Sequence, residues 1–269
     1  MSRFSPIAFG LALPVTFLSQ MALADLTPTD VWGDWRGYME GMGYKIEGTE
    51  NTSGGDLKVS AINLSFALPE NGGELRMSLG DVEFNQNRNG SVSIVMPENM
   101  PISIEGKSEL DDEEFNLTLN YSQTGHEMTA SGSPEAMTYL YTAQTIAMNL
   151  AQIQVGDESL GQEFARISFA GTNISSSTSM TIGDMRGYDQ TSSIGNLTYD
   201  FFFKDPESTD TQGAIKGTAS GVSMSGTGTM PRVIVPGADM ATLLSAGFAV
   251  TGKISYAEGG SVFDIKDPE

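Results

Sequence analysis

Leu57-Lys58-Val59-Ser60-Ala61-Ile62-Asn63-Leu64-Ser65-Phe66-Ala67-Leu68 decides the fold class. Leu57 and Val59 alternate with polar residues; Ile62, Leu64, Phe66 and Leu68 then alternate in the opposite phase. A period of two sends successive side chains to opposite faces of a strand. The phase switch near Ala61 marks an extra residue, a β-bulge or bend. The next run repeats the device, with Leu75, Met77 and Leu79 out of phase with Val82 and Phe84 across Asp81.

The same alternation extends outward through Val92-Ile94-Met96, Ile102-Ile104, Phe115-Leu117-Leu119-Tyr121, Ile167-Phe169, Leu197-Tyr199-Phe201-Phe203 and Ile254-Tyr256. Turn-forming clusters separate these runs: Pro69 to Gly73, Asn85 to Gly90, Thr124-Gly125 and Pro206 to Gly213. Between Met137 and Val155 the alternation favours a long strand, although the alanines also permit a helix. Ahead of the strands, Val31, Trp35, Tyr38 and Met42 share one helical face, with Thr29 as the expected cap. Four glycines weaken this helix, so it forms only by packing, as a plug over one end of the sheet or as a ligand contact. Asp239 to Val250 reads as a second helix. Thr251–Ala257 and Ser261–Lys266 read as a hairpin turning at Glu258-Gly259-Gly260. The ending straight after it fits the N-terminal part of a longer protein.

The expectation is a mainly β protein in a single domain over residues 25–269: a large curved antiparallel sheet with two short helices. The sheet is read as a meander, and a sandwich-like closure of its apolar face is left open. An outer-membrane barrel also alternates, but both tryptophans, Trp32 and Trp35, sit in the helix instead of in girdles.

Residues 1–24 read as a signal peptide. Arg3 supplies the positive end, Ile7 to Leu18 an uncharged and mostly apolar stretch, and Ala22-Leu23-Ala24 the small residues before cleavage. A stretch so short, broken by Pro14, is not a membrane span, which needs ~20 residues. The chain has 14 Lys+Arg against 34 Asp+Glu, a formal net charge of −20, one His and no Cys. That charge repels nucleic-acid phosphates and anionic lipid surfaces, and the missing cysteines exclude disulfides and thiolate chemistry. Hydrophobic residues make up 39% of the chain, enough for a core.

Catalytic signals are weak. His126 is the only histidine, placed in an expected turn, and no nucleophile elbow accompanies it. Asn85 to Gly90 resembles the front of a calcium loop but reads equally as a hairpin turn. Asp111 to Glu114 reads as a solvated acidic run, and the small residues from Gly217 to Thr229 as a site of close sheet packing. No catalytic residue, metal or cofactor is assigned. Triplets such as Asn116-Leu117-Thr118 lie in strand-like runs as outward residues and read as sheet surface, not glycosylation sites.

Three stretches carry a family resemblance. They are Met1-Ser2-Arg3-Phe4-Ser5-Pro6; Val31-Trp32-Gly33-Asp34-Trp35 with Tyr38-Met39-Glu40-Gly41-Met42-Gly43-Tyr44; and Asp239-Met240-Ala241 to Gly247-Phe248 leading into Tyr256. Together the chain resembles an exported alphaproteobacterial family catalogued as domain of unknown function 2125. The resemblance implies a periplasmic address and brings no activity or site residue. The functional expectation is an exported, non-catalytic binding or scaffolding protein of the bacterial periplasm, for a lipid or other apolar ligand. Its ligand-binding candidates are Phe66, Leu117, Tyr121, Tyr199 and Phe201, aromatic and aliphatic members of the alternating runs. A carboxylate-based hydrolase and a protein-binding envelope assembly factor are the alternatives.

Overall fold

The computed structural model describes residues 25–67, 74–107, 114–205, 211–234 and 238–266. Fifteen strands form one antiparallel sheet, so the apolar face is not closed by a second sheet as a sandwich would require. The strands are β1 (Lys45–Ser53), β2 (Asp56–Ala67), β3 (Glu74–Ser78), β4 (Val82–Gln86), β5 (Val92–Val95), β6 (Asn99–Lys107), β7 (Glu114–Thr124), β8 (Glu127–Ser133), β9 (Ala136–Val155), β10 (Glu158–Leu160), β11 (Ala165–Ile182), β12 (Met185–Lys204), β13 (Gln212–Pro231), β14 (Ala249–Ser255) and β15 (Glu258–Lys266). Helix α1 (Pro28–Gly41) precedes them, and α2 (Met240–Ser245) lies between β13 and β14.

Several strands are halves of one longer pass. β7 and β8 follow one another along the same edge of β9 in one register: Thr124 faces Thr145 and Glu127 faces Thr142. β3 with β4 lie likewise along β2, β10 with β11 along β9, and β14 with β15 along β13. β5 with β6 bridge the two double passes beside them. Read in this way, the sheet is an up-and-down meander of ten passes, and every pairing joins passes adjacent in sequence. Two expected turns are therefore corrected. Thr124-Gly125 and Glu258-Gly259-Gly260 do not reverse the chain; they sit within continuing passes, because both halves of each pass pair with the same neighbour.

The breaks between halves form a line across the strands. Ala61 (φ 52), Gly125 (φ 55), Asn173 (φ 52) and Gly221 (φ 58) all have left-handed backbone. The ladders skip Asn173 and Gly195 opposite each other, and Gly221 falls opposite the Tyr256–Ala257 break between β14 and β15. An extra residue at this crease lets the apolar phase resume on the same face. Ile62, beyond the crease, accordingly joins the buried cluster of Leu57 and Val59. The phase switches at Ala61 and Asp81 thus mark real bends. Asp81 holds the first of them: its carboxylate accepts the Ala61 N–H at 3.2 Å. That bond, aided by Lys58, keeps the Asp81 carboxyl below the usual carboxylate range.

On one side of the crease the sheet curls around α1. Thr27 caps the helix, not the expected Thr29: its hydroxyl accepts the Asp30 N–H and the Asp30 carboxylate accepts the Thr27 N–H. That reciprocal pair satisfies two end donors, which Thr29 inside the first turn is not placed to do. Pro28, Val31 and Trp32 are buried, and Trp35 packs edge-on to Phe84 at 5.4 Å. The inward stripe is thus 28, 31, 32 and 35, rotated from the expected one. With Leu26, Val82, Phe84, Val92, Ile94, Met137, Tyr139 and Met180 these residues form the packed core. The helix acts as the expected plug.

The second helix is shorter than expected. Asp239 caps it through the Thr242 N–H at 2.7 Å, but it ends at Ser245, and Gly247 (φ 93) turns the chain into β14. None of its side chains is buried. The expected signal segment 1–24, Leu68, the expected turn Pro69–Gly73, Asp111 to Glu113 and most of the expected turn Pro206–Gly213 lie outside the described residues.

Candidate apolar binding face

The strand pairings place all five candidate residues on one face of the half that lacks α1. Phe66 stands beside Leu75, Leu75 beside Gly106, and Gly106 beside Phe115. Leu117 lies between Ile104 and Ile153. Tyr121, Met148, Phe169, Tyr199 and Gly217 form one transverse row; Ile167, Phe201 and Ile215 form the next. Following these rows from β2 to β15, the positions on this face are apolar or neutral apart from Glu158, which stands beside Val155 at the outer end of β10. The other charges of this half occupy the opposite face, where Arg166 pairs with Asp200 at 3.8 Å and lies over the Phe202 ring at 4.4 Å.

Cover on this face varies along the meander. Leu64 is 5% exposed and Leu119 9%, whereas Phe203 is 51%, Phe263 64% and Ile265 71% exposed. The first passes crowd their side chains on the inside of the curve, while the last pass stands open. Two glycines keep the floor low. A Cβ on Gly106 would fall 2.0 Å from the Phe115 ring, and one on Gly217 would fall 2.5 Å from the Tyr199 hydroxyl. The rings therefore lie across the neighbouring strand instead of standing up from the sheet.

The uncharged polar groups of Tyr121, Gln123, Tyr199 and Ser261 on this face are satisfied locally. Gln123, fully buried at the crease, accepts from the Tyr121 hydroxyl at 3.1 Å and the Tyr141 hydroxyl at 2.9 Å, and donates to the Pro97 carbonyl at 3.2 Å. Burial, with Tyr121 beside it, raises the Tyr141 hydroxyl pKa above its ordinary value. The hydroxyls of Tyr199 and Ser261 bond to each other.

The helix-bearing half is built differently. There the face offers Arg186 and Glu50 as charged partners for α1. Arg186 meets the Asp34 carboxylate at 2.6 Å and donates to its carbonyl at 3.3 Å, and Tyr139 donates to the same carboxylate at 3.0 Å. Trp32 Nε1 and Arg36 donate to Glu50 at 2.8 and 2.9 Å. Burial first, then the Asp34 charge, pushes the Tyr139 hydroxyl up in pKa. Sequence reasoning missed this network. Its one local trace was an acid, Asp34, three residues beyond Val31 on a helix that has to pack.

The remaining chemical candidates stay structural. His126 lies half-buried between β7 and β8, inside a continuing pass. Asn87 and Asn89 spend their side chains on Ser91 and Ser93 within the β4–β5 hairpin. Gly217 to Thr229 is strand β13, paired on both edges. A shallow depression of about 610 Å³ crosses the last five passes, lined mostly by apolar and hydroxyl side chains including Met180, Tyr188, Thr227 and Val250. Among the described residues no group of three or more His, Asp or Glu could hold a metal, and no helix is long and apolar enough to cross a membrane.

Fold and face define a single-sheet meander whose apolar face carries a helix on one half and, among the described residues, none on the other. No protein-family model, curated protein or solved structure matches the chain.

Proposed function

We propose that this chain is an exported, non-catalytic binding or scaffolding protein of the bacterial periplasm that holds a lipid or other apolar molecule on its open half. One observation carries the reading: a continuous apolar face, charged only at Glu158 on its rim, across the second to tenth passes, on which no helix packs among the described residues. Such a face in water is unfavourable by ~25 cal/mol per Å² of apolar surface, and large exposed patches of this sort mark binding sites. An acyl chain laid there gains ~0.8 kcal/mol per buried CH₂. The charged outer face keeps the loaded protein soluble. Export rests on Arg3, the Ile7–Leu18 run and Ala22-Leu23-Ala24. In support, Leu26, just after the expected cleavage position, is already fully buried in the core.

The test is mass spectrometry of an organic extract of the purified protein, followed by Phe201→Asp. We expect a co-purifying lipid in the native protein and markedly weaker capture in the variant, with thermal unfolding measured alongside to verify that it folds. A native protein that neither carries nor takes up lipid would overturn the proposal.

A further inference from the structure

Resting on that reading, we infer that the open half takes more than one acyl chain at once, so its ligand class is a lipid with two or more tails. The helix-bearing half shows what this sheet supplies when its occupant is polypeptide. Glu50, Tyr139 and Arg186 face α1 and meet Trp32, Arg36 and Asp34. Across the crease the same face carries one charge, Glu158 at its outer rim, and its buried amide, Gln123, is occupied by its own neighbours. An occupant matched to that face has no directional polar groups along its length, which describes acyl chains and excludes a helix held as α1 is held.

Size sets the number of chains. The apolar face runs from β2 to the β14–β15 pass, eight strand spacings, or about 38 Å at ~4.8 Å each. A bilayer core of ~30 Å is spanned by two opposed tails, so one tail reaches roughly 15 Å. A single tail would cover less than half of the face in that direction. Along the strands, Leu197 to Phe203 adds about 20 Å at ~3.4 Å per residue. The rings of Phe115 and Tyr199 lie low over Gly106 and Gly217. The graded exposure gives the ligand a direction. Tails lie towards Leu64 and Leu119, and the polar head stays in water near Phe263 and Ile265, where the face is open.

The experiment is native mass spectrometry of the full mature protein, titrated separately with palmitate and with a diacyl phosphatidylcholine offered from vesicles. We expect saturation at two or more palmitates per chain, and displacement of at least two palmitates by each bound phosphatidylcholine. Saturation at one palmitate with no uptake of the diacyl lipid would overturn the inference and leave the binding function standing. Failure of both probes to bind would remove the proposed function and this inference together.

Discussion

The two halves of the sheet share ten passes, one alternation and one inner face, yet α1 packs on only one of them, and even there the last pass stays open at Val250 and Ile254. Beside α1 the inner face mixes apolar residues with Glu50, Tyr139 and Arg186, and the result is a packed core. Beyond the crease the inner face is apolar or neutral except for Glu158 at its rim, and ends in side chains as open as Ile265. Alternation thus tells which face turns away from water. The polar residues set into that face tell what kind of body covers it.

The largest expected effect lies at the Asp34–Arg186 pair. Arg186→Met should cost about 3–5 kcal/mol in urea unfolding, because it strands the buried Asp34 carboxylate. Combining it with Asp34→Leu should recover most of the loss. If the single change is as mild as the double, the pair does not fix the helix, and the contrast between the halves weakens.

Core truncation sharpens the same contrast. Phe84→Ala, which removes the ring under Trp32 and Trp35, should cost ~3–5 kcal/mol. Phe201→Ala in the open half should cost under ~1 kcal/mol while weakening lipid capture. Equal losses of stability would mean that the open half is a core in its own right.

The smallest effect concerns the crease. The Ala61 N–H and Lys58 favour the charged form of Asp81, so its folded pKa is depressed. The stability it contributes is present above the unfolded value of ~3.9 and is lost as pH falls through the lower folded value. Asp81→Asn should flatten the acid limb of the stability–pH curve over that window and change little at neutral pH. An unchanged acid limb would show that the bend does not depend on this carboxylate.

Much of the architecture was legible in the residues. The out-of-phase runs around Ala61 and Asp81 announced the crease, and the runs containing Phe66, Leu117, Tyr121, Tyr199 and Phe201 lie on one face. Two glycine-rich stretches, at Gly125 and Gly259, were misread as reversals. A left-handed residue inside a pass has the same composition as a tight turn, and what separates them is phase: Gln123 and Met128 shift by an odd number, as Val59 and Ile62 do. The cap was legible but overlooked, since Thr27 and Asp30 have the spacing of a reciprocal box. The Asp34–Arg186 pair was out of reach, because its partners lie 152 positions apart and no local pattern links them.

That separation bears on how the molecule assembles. In a meander each pass needs only the one before it as a template, so the sheet can grow by successive hairpin additions with short loop closures. Such an array gains stability largely from neighbour to neighbour, and losing its last pass leaves the earlier interfaces intact. The contact between α1 and β12 breaks this locality. The helix is made first, yet Arg186 arrives only after most of the sheet has been laid down. The core is therefore complete only once β12 is in place; before that the Asp34 carboxylate has the Tyr139 hydroxyl within reach but not its guanidinium.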